Sequence, residues 1–412
     1  MDPVSGGAFG DVWKCNYIDL NADGILALVA VKAFRFSEKD GLERINRQIS
    51  REIGINLKLL RHDNIVPLLG IATGFGRMPE LRCLVSPWMP NGTLNDYLAF
   101  NQNDLTVLDR LRMLEDISAG LRYLHSVPVM HGDITGANIL IDEGGHARLI
   151  DFGLSTIVRP LLGQSHLAAT TIRRGAIRYA APELVLSDDV HELGPLEKTD
   201  IYSFGCVMLQ VLSGRHPWSE IKSEVLEMRI AFMIIEGRGP QRPDGNPAIM
   251  DLDWDFIQKC LQFEPKFRPS ADEVHDFVVD RCFSLGPSPH GVSGDLDTAE
   301  HPSDSPLVHP GHEPGPSVIE PGTQRSHLAP LHIDHPRTAL NNIMQMIYGP
   351  AAWRHILWEV YSQGPPNALT WYAKIYIDDM NYGHASSRTK GAAQDAAAMM
   401  ALNRLRKENL SL

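Results

Sequence analysis

One stretch constrains this chain more than any other. It is Val129–Asp142, which reads VMHGDITGANILID, and its polar residues stand between apolar flanks. The apolar run Ile139–Ile141 at its end predicts a short buried strand. A turn at residues 143–145 and a second apolar run at residues 147–150 predict that this strand forms a hairpin. The stretch therefore predicts a polar loop that leads directly into a tight two-stranded hairpin.

Three oxygen-bearing side chains flank this hairpin, namely Asp133, Asn138 and Asp151. Because the two strands are joined by a turn, we expect these side chains to converge on one ligand. Mg²⁺ prefers hard oxygen ligands and is commonly shared between one or two carboxylates and the phosphates of a substrate. A second carboxylate beside the metal can accept a proton from an attacking hydroxyl group. This layout predicts phosphoryl transfer.

The motif formed by His131, Asp133 and Asn138, followed by Asp151-Phe152-Gly153, resembles the catalytic and metal-binding loops of protein kinases. Other kinase-like segments occur in the expected order, including Ala181-Pro182-Glu183, and the resemblance implies that Glu183 forms a buried ion pair with Arg268. The resemblance covers residues 1–283 and is closest to the tyrosine-kinase-like group of Ser/Thr kinases. It implies an α+β bilobal fold, with a small β-rich lobe at residues 1–86 and a large helical lobe at residues 90–283.

The resemblance also implies a site for ATP and Mg²⁺. Lys32, in the strand LVAVKAF, would hold the α- and β-phosphates, and Glu52 would pair with it. Asp133 would accept the proton of a protein hydroxyl, while Asn138 and Asp151 would bind Mg²⁺. Glycines let the backbone approach phosphates closely. The implied nucleotide-contacting residues are Gly7, Gly10, Val12, Ala30, Lys32, Ser86, Met89 and Leu140.

The sequence departs from the family at positions that set substrate specificity. Thr135 stands where Ser/Thr kinases have a lysine, and Ala137 stands where tyrosine kinases have an arginine. Transfer to Ser or Thr is the favoured interpretation, and transfer to Tyr stays open. We hypothesise that Thr135 supplies part of the hydrogen bonding to Asp133, which leaves a slower enzyme. The alternative is a pseudokinase scaffold that acts through its C-terminal domain.

Composition and charge argue against several other classes of function. The net charge of −12 gives no global electrostatic argument for nucleic-acid binding. The five cysteines show no metal-ligand spacing, and their scatter suggests reduced thiols in the cytosol or nucleus. The N-terminal MDPVSGG lacks the basic head and apolar core of a secretory signal. No apolar run is long enough to span a bilayer, so no membrane partner is expected.

Residues 286–335 differ in character from the rest of the chain. They are rich in Pro, Gly, Ser and His, and they contain one basic residue and seven acidic ones, which gives a net charge of −6. Such a segment cannot bury enough apolar surface to offset its loss of conformational entropy. We expect a disordered linker.

Residues 336–412 show the order α-β-β-β-α, which resembles a double-stranded-RNA-binding domain. That family contacts minor grooves with its first helix and first loop, and phosphates with a lysine cluster that begins the last helix. Here Lys390 and the neighbouring Arg388 are what is left of the cluster. Eight basic and five acidic residues give a modest +3. The partner stays open between duplex RNA and protein, and an RNA-controlled kinase is a third interpretation.

Overall fold

A computed structural model covers all 412 residues. The structure describes residues 3–6, 10–18, 26–34, 46, 61–127, 129–151, 176–186, 197–221, 226–285, 333, 335–348, 352, 354–365 and 368–410. Residues 1–285 and 331–412 belong to one compact unit. The predicted linker lies almost wholly outside the described residues, so its disorder stays a prediction.

Five strands form an antiparallel sheet in the small lobe, in the order β1-β2-β3-β5-β4. They are β1 (Ser5–Gly6), β2 (Gly10–Ile18), β3 (Leu26–Phe34), β4 (Gly70–Ala72) and β5 (Cys83–Pro87). Side chains alternate between the two faces of a strand. One face packs into a small apolar core that includes Trp13, Val31 and Cys83. The alternate residues of β2, β3 and β5 therefore lie on the opposite face.

The large lobe begins with two helices and the predicted hairpin. These are α1 (Leu94–Asn101), α2 (Val107–Ser126), β6 (Ile139–Ile141) and β7 (Ala147–Leu149). A capping box begins α2, because the Thr106 hydroxyl accepts the Asp109 N–H and the Asp109 carboxylate accepts the Thr106 N–H. Its buried residues, such as Leu114, Ile117 and Leu121, recur at helical spacing and place one face in the core.

Within the described residues of the large lobe, five further helices follow: α3 (Pro182–Leu186), α4 (Glu197–Ser213), α5 (Leu226–Ile235), α6 (Asp251–Cys260) and α7 (Ala271–Leu285). Every residue of α4 from Thr199 to Ser213 is buried, so this helix runs through the centre of the lobe. A short 3₁₀ turn, Ala176–Tyr179, packs on α4 and α5.

The C-terminal module contains α8 (Pro336–Tyr348), β8 (Ile356–Gln363), β9 (Thr370–Ile377), β10 (Met380–Ser387) and α9 (Lys390–Leu410). Its three strands form an antiparallel sheet in the order β10-β9-β8. The alanines of α9 let this helix lie close to β10, where a Cβ on Gly383 would stand 2.2 Å from the Ala397 carbonyl oxygen. The predicted α-β-β-β-α order is confirmed.

The fold class is thus confirmed as a β-rich N-terminal part, a helical large lobe and a small α/β module. Two predicted site residues, Gly7 and Glu52, lie outside the described residues, and so do Phe152 and Gly153. Among the described helices, none combines the length and apolar character needed to cross a bilayer.

Candidate active site

A buried aspartate at the start of α4 organises the polar loop. Asp200 is 1% exposed, and its carboxylate accepts the backbone N–H of His131 at 2.9 Å and that of Gly132 at 2.8 Å. Its Oδ2 also lies 3.0 Å from Nε2 of His125. Gly132 has φ +73°, a conformation in which glycine carries no steric penalty. The loop backbone is therefore fixed before any ligand binds.

The Asn138 side chain joins the two ends of the loop. Its Nδ2 donates to the Asp133 carbonyl at 2.8 Å and to the Asp133 Oδ2 at 2.9 Å. The Ile150 N–H donates to the Asn138 carbonyl at 3.0 Å, and Ile150 directly precedes Asp151. These hydrogen bonds bring Asp133 and Asn138 together and place Asp151 next to them. Because the Asn138 amide nitrogen is used by Asp133, its Oδ1 is the atom left to bind a cation.

Lys32 and Asp151 form an ion pair between β3 of the small lobe and the end of the hairpin. Their side chains are 20% and 12% exposed, so the pair lies in a cleft that water still reaches. Asp151 has φ +63°, which is unusual for a residue other than glycine. Such backbone conformations persist where the surrounding structure enforces them, and they occur often at functional sites. The pair places a cation beside the predicted metal ligands.

The buried His131 lies among the carboxylates of this site. Its ring is fully buried, and burial lowers the pKa of His131 below its usual value, although the carboxylates of Asp200, Asp133 and Asp151 oppose this shift. The imidazole is therefore favoured in its neutral form. A neutral ring supports the loop without adding a charge that would compete for the same carboxylates.

The predicted nucleotide residues of the small lobe share one face of the sheet. In the strand register, Val12 lies opposite Lys32, and Ala30 lies opposite Ser86. Residues that face each other across antiparallel strands point to the same side, and so do residues two apart in one strand. All four side chains are half-buried, on the face opposite the small apolar core. This face can cover a planar ligand and present Lys32 to its phosphates.

Three other residues that are predicted to contact the nucleotide lie elsewhere in the chain. Met89 is 8% exposed in the segment that follows β5, and Leu140 is half-buried on β6. Gly10 begins β2, where a Cβ would stand 2.1 Å from the Ala33 carbonyl oxygen. Gly10 therefore has a structural reason to be glycine, apart from any contact with phosphate.

The two oxygen-bearing side chains fit a divalent cation that is also bound by phosphate oxygens. Asn138 and Asp151 supply hard oxygen atoms, which are the ligands that Mg²⁺ prefers. In the part of the chain that the structure describes, no group of three or more His, Cys, Asp or Glu side chains could hold a metal on its own. Two protein oxygen ligands leave coordination positions that the oxygens of a bound phosphate could fill.

Comparison with known proteins agrees with this geometry. The family model described as protein tyrosine and serine/threonine kinase matches residues 1–278. This chain belongs to the protein kinase family. Protein kinases in general use ATP and a divalent metal ion. A second model, the double-stranded RNA binding motif, matches residues 336–405, the C-terminal module of this kinase.

The kinase is similar to several curated proteins. It is 31% identical over 314 residues to mitogen-activated protein kinase kinase kinase ANP1 of Arabidopsis thaliana, a match that covers 74% of this chain and 42% of the relative. It is 34% identical over 323 residues to a putative L-type lectin-domain containing receptor kinase of the same plant, covering 73% and 44%. The chain spans less than half the length of these relatives.

A third similar protein is the MAP kinase kinase kinase wis4 of Schizosaccharomyces pombe. The two are 31% identical over 293 residues, which cover 67% of this kinase and 19% of the relative. These matches to two MAP kinase kinase kinases and a receptor kinase agree with the resemblance to the tyrosine-kinase-like group that the motifs indicate.

A buried ion pair joins α3 to the segment that precedes α7. Both guanidinium nitrogens of Arg268 donate to Glu183, at 2.6 Å to Oε1 and 2.7 Å to Oε2, and the Arg268 side chain is fully buried. Glu183 lies in α3, a few residues after the Ala176–Tyr179 turn. The pair therefore fixes the segment that leads from this turn into the large lobe.

Sequence reasoning missed a polar network beneath the catalytic loop. The Tyr179 hydroxyl donates to Gln210 Oε1 at 2.6 Å, and Gln210 Nε2 donates to Asn95 Oδ1 at 2.7 Å. A Cβ on Gly136 would stand 2.2 Å from that Asn95 oxygen, so the loop packs directly on the network. Gln210 is the single amide in an apolar stretch of α4, and such a buried polar residue was the available signal.

Proposed function

We propose that this chain is an ATP- and Mg²⁺-dependent protein kinase that transfers the γ-phosphoryl group to Ser or Thr of protein substrates. The observation that carries the proposal is the Lys32–Asp151 ion pair beside the Asn138–Asp133 hydrogen bonds. One site thus holds a cation for phosphates, two oxygen ligands for a metal and a carboxylate for the attacking hydroxyl.

Each residue has a role in this proposal. Lys32 binds the α- and β-phosphates, and Glu52, outside the described residues, steadies its ammonium group. Asn138 and Asp151 would hold Mg²⁺, and the bound ion would supply neutralisation of the phosphate charge. Asp133 accepts the proton of the hydroxyl group and is held in place by Asn138. The half-buried face of Val12, Ala30 and Ser86 excludes water from the nucleotide.

The remaining nucleotide contacts are assigned by position. Met89, in the segment after β5, supplies its backbone N–H to adenine, since Pro87 has none. Leu140 of β6 packs under the adenine ring. Gly7, outside the described residues, and Gly10 let the backbone approach the phosphates.

The experiment that tests the proposal is ³²P transfer from ATP to the chain itself and to a generic protein acceptor. Asp133→Ala is the variant, because it removes the proton acceptor and leaves Lys32, Asn138 and Asp151 in place. We expect transfer by the wild type and loss of transfer in the variant, with Mg·ATP binding retained by both. Binding of Mg·ATP without transfer by the wild type would instead support a pseudokinase scaffold.

Thr135 distinguishes this site from other Ser/Thr kinases. It is 8% exposed, and its carbonyl accepts the Asn138 N–H at 2.9 Å, so it lies within the turn that holds Asp133. We propose that its hydroxyl replaces part of the missing lysine. Because one electrostatic donor is worth about 10²–10³-fold in rate, Thr135→Lys should raise the transfer rate. An unchanged rate in a folded variant would contradict this account.

We also propose a cytosolic or nuclear location. The five cysteines, among the residues that the structure describes, are free thiols, and Cys83, Cys206 and Cys260 are buried. Reduced thiols of this kind are typical of those compartments. Microscopy of a tagged full chain, with fluorescence confined to secretory organelles, would contradict the assignment.

A further inference from the structure

The helix α5 of the large lobe has apolar residues on all sides. It reads LEMRIAFMII, and every residue from Glu227 to Ile235 is buried or half-buried. By contrast, α6 of the same lobe leaves Asp251, Leu252 and Asp255 exposed. A helix that is apolar all round must be covered on opposite faces. One cover of α5 is the Ala176–Tyr179 turn and α3, and a second cover is required.

The second cover is the C-terminal module. Helix α8 packs on α3 and α5, and α9 also packs on α5. One continuous apolar cluster contains residues from both parts, including Val185 and Ile234 of the lobe and Ile343 of α8. The module thus completes the burial of a helix that the lobe alone leaves half covered.

Helix α8 is itself buried on two sides. Leu340 is 0% exposed and Asn342 is 1% exposed. Because two residues turn an α-helix by about 200°, these side chains lie on nearly opposite faces. The Asn342 Nδ2 donates to the Val185 carbonyl at 2.9 Å. Val185 is in the last turn of α3, where a carbonyl has no partner within the helix, so a side chain of the module satisfies it.

A buried ion pair fixes the other end of the contact. Arg406 of α9 pairs with Glu236, the residue that follows α5, and both side chains are less than 10% exposed. Glu236 also pairs with Arg238 at 2.8 Å. A buried charge that loses its partner is strongly destabilising. The contact therefore combines apolar burial with two polar interactions that fix its geometry.

We propose that the α8 side of the C-terminal module is a docking surface whose partner is the large lobe of the same chain. Docked there, the module braces α3 and α5, which flank the Ala176–Tyr179 turn next to the catalytic loop. The first helix, which the double-stranded-RNA-binding family uses to reach a minor groove, is occupied by protein in this kinase. The exposed Arg388 and Lys390 lie at the start of α9, outside the contact.

The test is hydrogen exchange of the full chain, measured by mass spectrometry. Glu236→Arg places three guanidinium groups together at the contact, and it alters no residue of the module or of the active site. The matched control is Glu264→Arg, the same change of charge at an exposed position before the Pro265–Phe267 turn. A second variant, Asn342→Leu, removes the hydrogen bond to Val185 independently of the ion pair.

We expect exchange to rise at least about tenfold in α5, α3 and α8 of Glu236→Arg, because the remaining buried charges lose their compensation. Exchange in α2 should be unchanged, which shows that the lobe stays folded. Asn342→Leu should show the same pattern more weakly, and Glu264→Arg should match the wild type. Unchanged exchange in α5 and α8 of both interface variants would overturn the proposal.

Addition of duplex RNA provides a second arm of the hydrogen-exchange test. A duplex of about 20 base pairs is long enough for the roughly 16 that such a domain spans. We expect it to leave exchange of α5 and α8 in the wild type unchanged. If RNA protects α8 and exposes α5, then α8 binds RNA in preference to the lobe, and the proposal is wrong. The readout needs no phosphoryl transfer, so it is decided separately from the proposed function.

Discussion

Two cations of the kinase lobes and two surface cations of the C-terminal module lie in opposite surroundings, whereas Arg406 of the module is buried against the large lobe. Lys32 and Arg268 are held by carboxylates from distant parts of the chain, in a cleft and in the core respectively. Lys374 pairs with Glu359 on the neighbouring strand at the surface, and Lys390 is exposed beside the Trp371 ring. A cation held by tertiary structure has one position, which catalysis and packing require. A surface cation contributes only general, salt-screened attraction.

Substitution of Arg268 should give the largest effect, a loss of stability. Arg268→Met leaves the buried carboxylate of Glu183 without its partner, so we expect a loss of about 3–5 kcal/mol in the free energy of unfolding. Urea denaturation measures it. Lys374→Met is the matched change at the surface, and it should leave the denaturation midpoint unchanged. Equal effects of the two substitutions would remove the contrast between core and surface.

Lys32 should give the next effect, on activity. Lys32→Met removes the cation that binds the phosphates, and we expect the rate of ³²P transfer to fall by about 10²–10³-fold. Lys14→Met is the control, because Lys14 is an exposed lysine on the neighbouring strand β2. If both variants lost activity equally, the assigned position of Lys32 would have no special role.

His131 extends the comparison of buried and surface side chains to the pH dependence of stability. Burial lowers the pKa of His131 below 6.5, the value expected in the unfolded chain. The unfolded chain therefore binds a proton more readily, and the stability that the neutral ring contributes is present above pH 6.5. It is lost as the pH falls through the lower pKa of the folded state. We expect the free energy of unfolding to fall between about pH 7 and pH 5.

Denaturation of His131→Asn at several pH values measures this contribution. The variant should lose less stability on acidification than the wild type does, even if it is less stable at neutral pH. His384→Asn, at an exposed position of β10, should retain the slope of the wild type. An identical pH slope in all three proteins would show that His131 titrates as it does in the unfolded chain.

Substitution of Lys390 should give the smallest effect, on the binding of duplex RNA. With α8 docked on the lobe, we expect duplex RNA to bind weakly and by charge alone. Loss of one phosphate contact in Lys390→Met should then reduce the slope of log affinity against log salt by about 0.9. Fluorescence anisotropy at several salt concentrations measures the slope. Lys374→Met should leave the salt slope unchanged. An equal change in both variants would mean that the position of the lysine does not affect RNA binding.

The proximity of the candidate site residues could be predicted because the signals are local, while their catalytic roles stay a prediction. His131, Asp133 and Asn138 lie within one short loop, and the strand with Lys32 alternates in a way that fixes which side faces the cleft. The ion pair of Glu183 and Arg268 was also predictable, since both residues belong to recognisable segments. The structure confirms this pair, whereas the predicted pairing of Glu52 lies outside the described residues.

The contact between the module and the lobe was not predicted. Asn342 and Val185 are 157 residues apart, and no periodic pattern relates them. The apolar residues around α5 were the available signal, because a helix without a polar face needs two neighbours. That signal indicates that a cover exists, but it does not identify which segment provides it.

The order of synthesis gives this arrangement a cost during translation. Val185 is made 157 residues before Asn342, which at about 5–20 residues per second is a delay of roughly 8 to 31 seconds. From the synthesis of α5 until the module is made, the nascent lobe presents α5 without its cover. A newly made kinase lobe should therefore be a substrate for chaperones until the module emerges from the ribosome and closes over it.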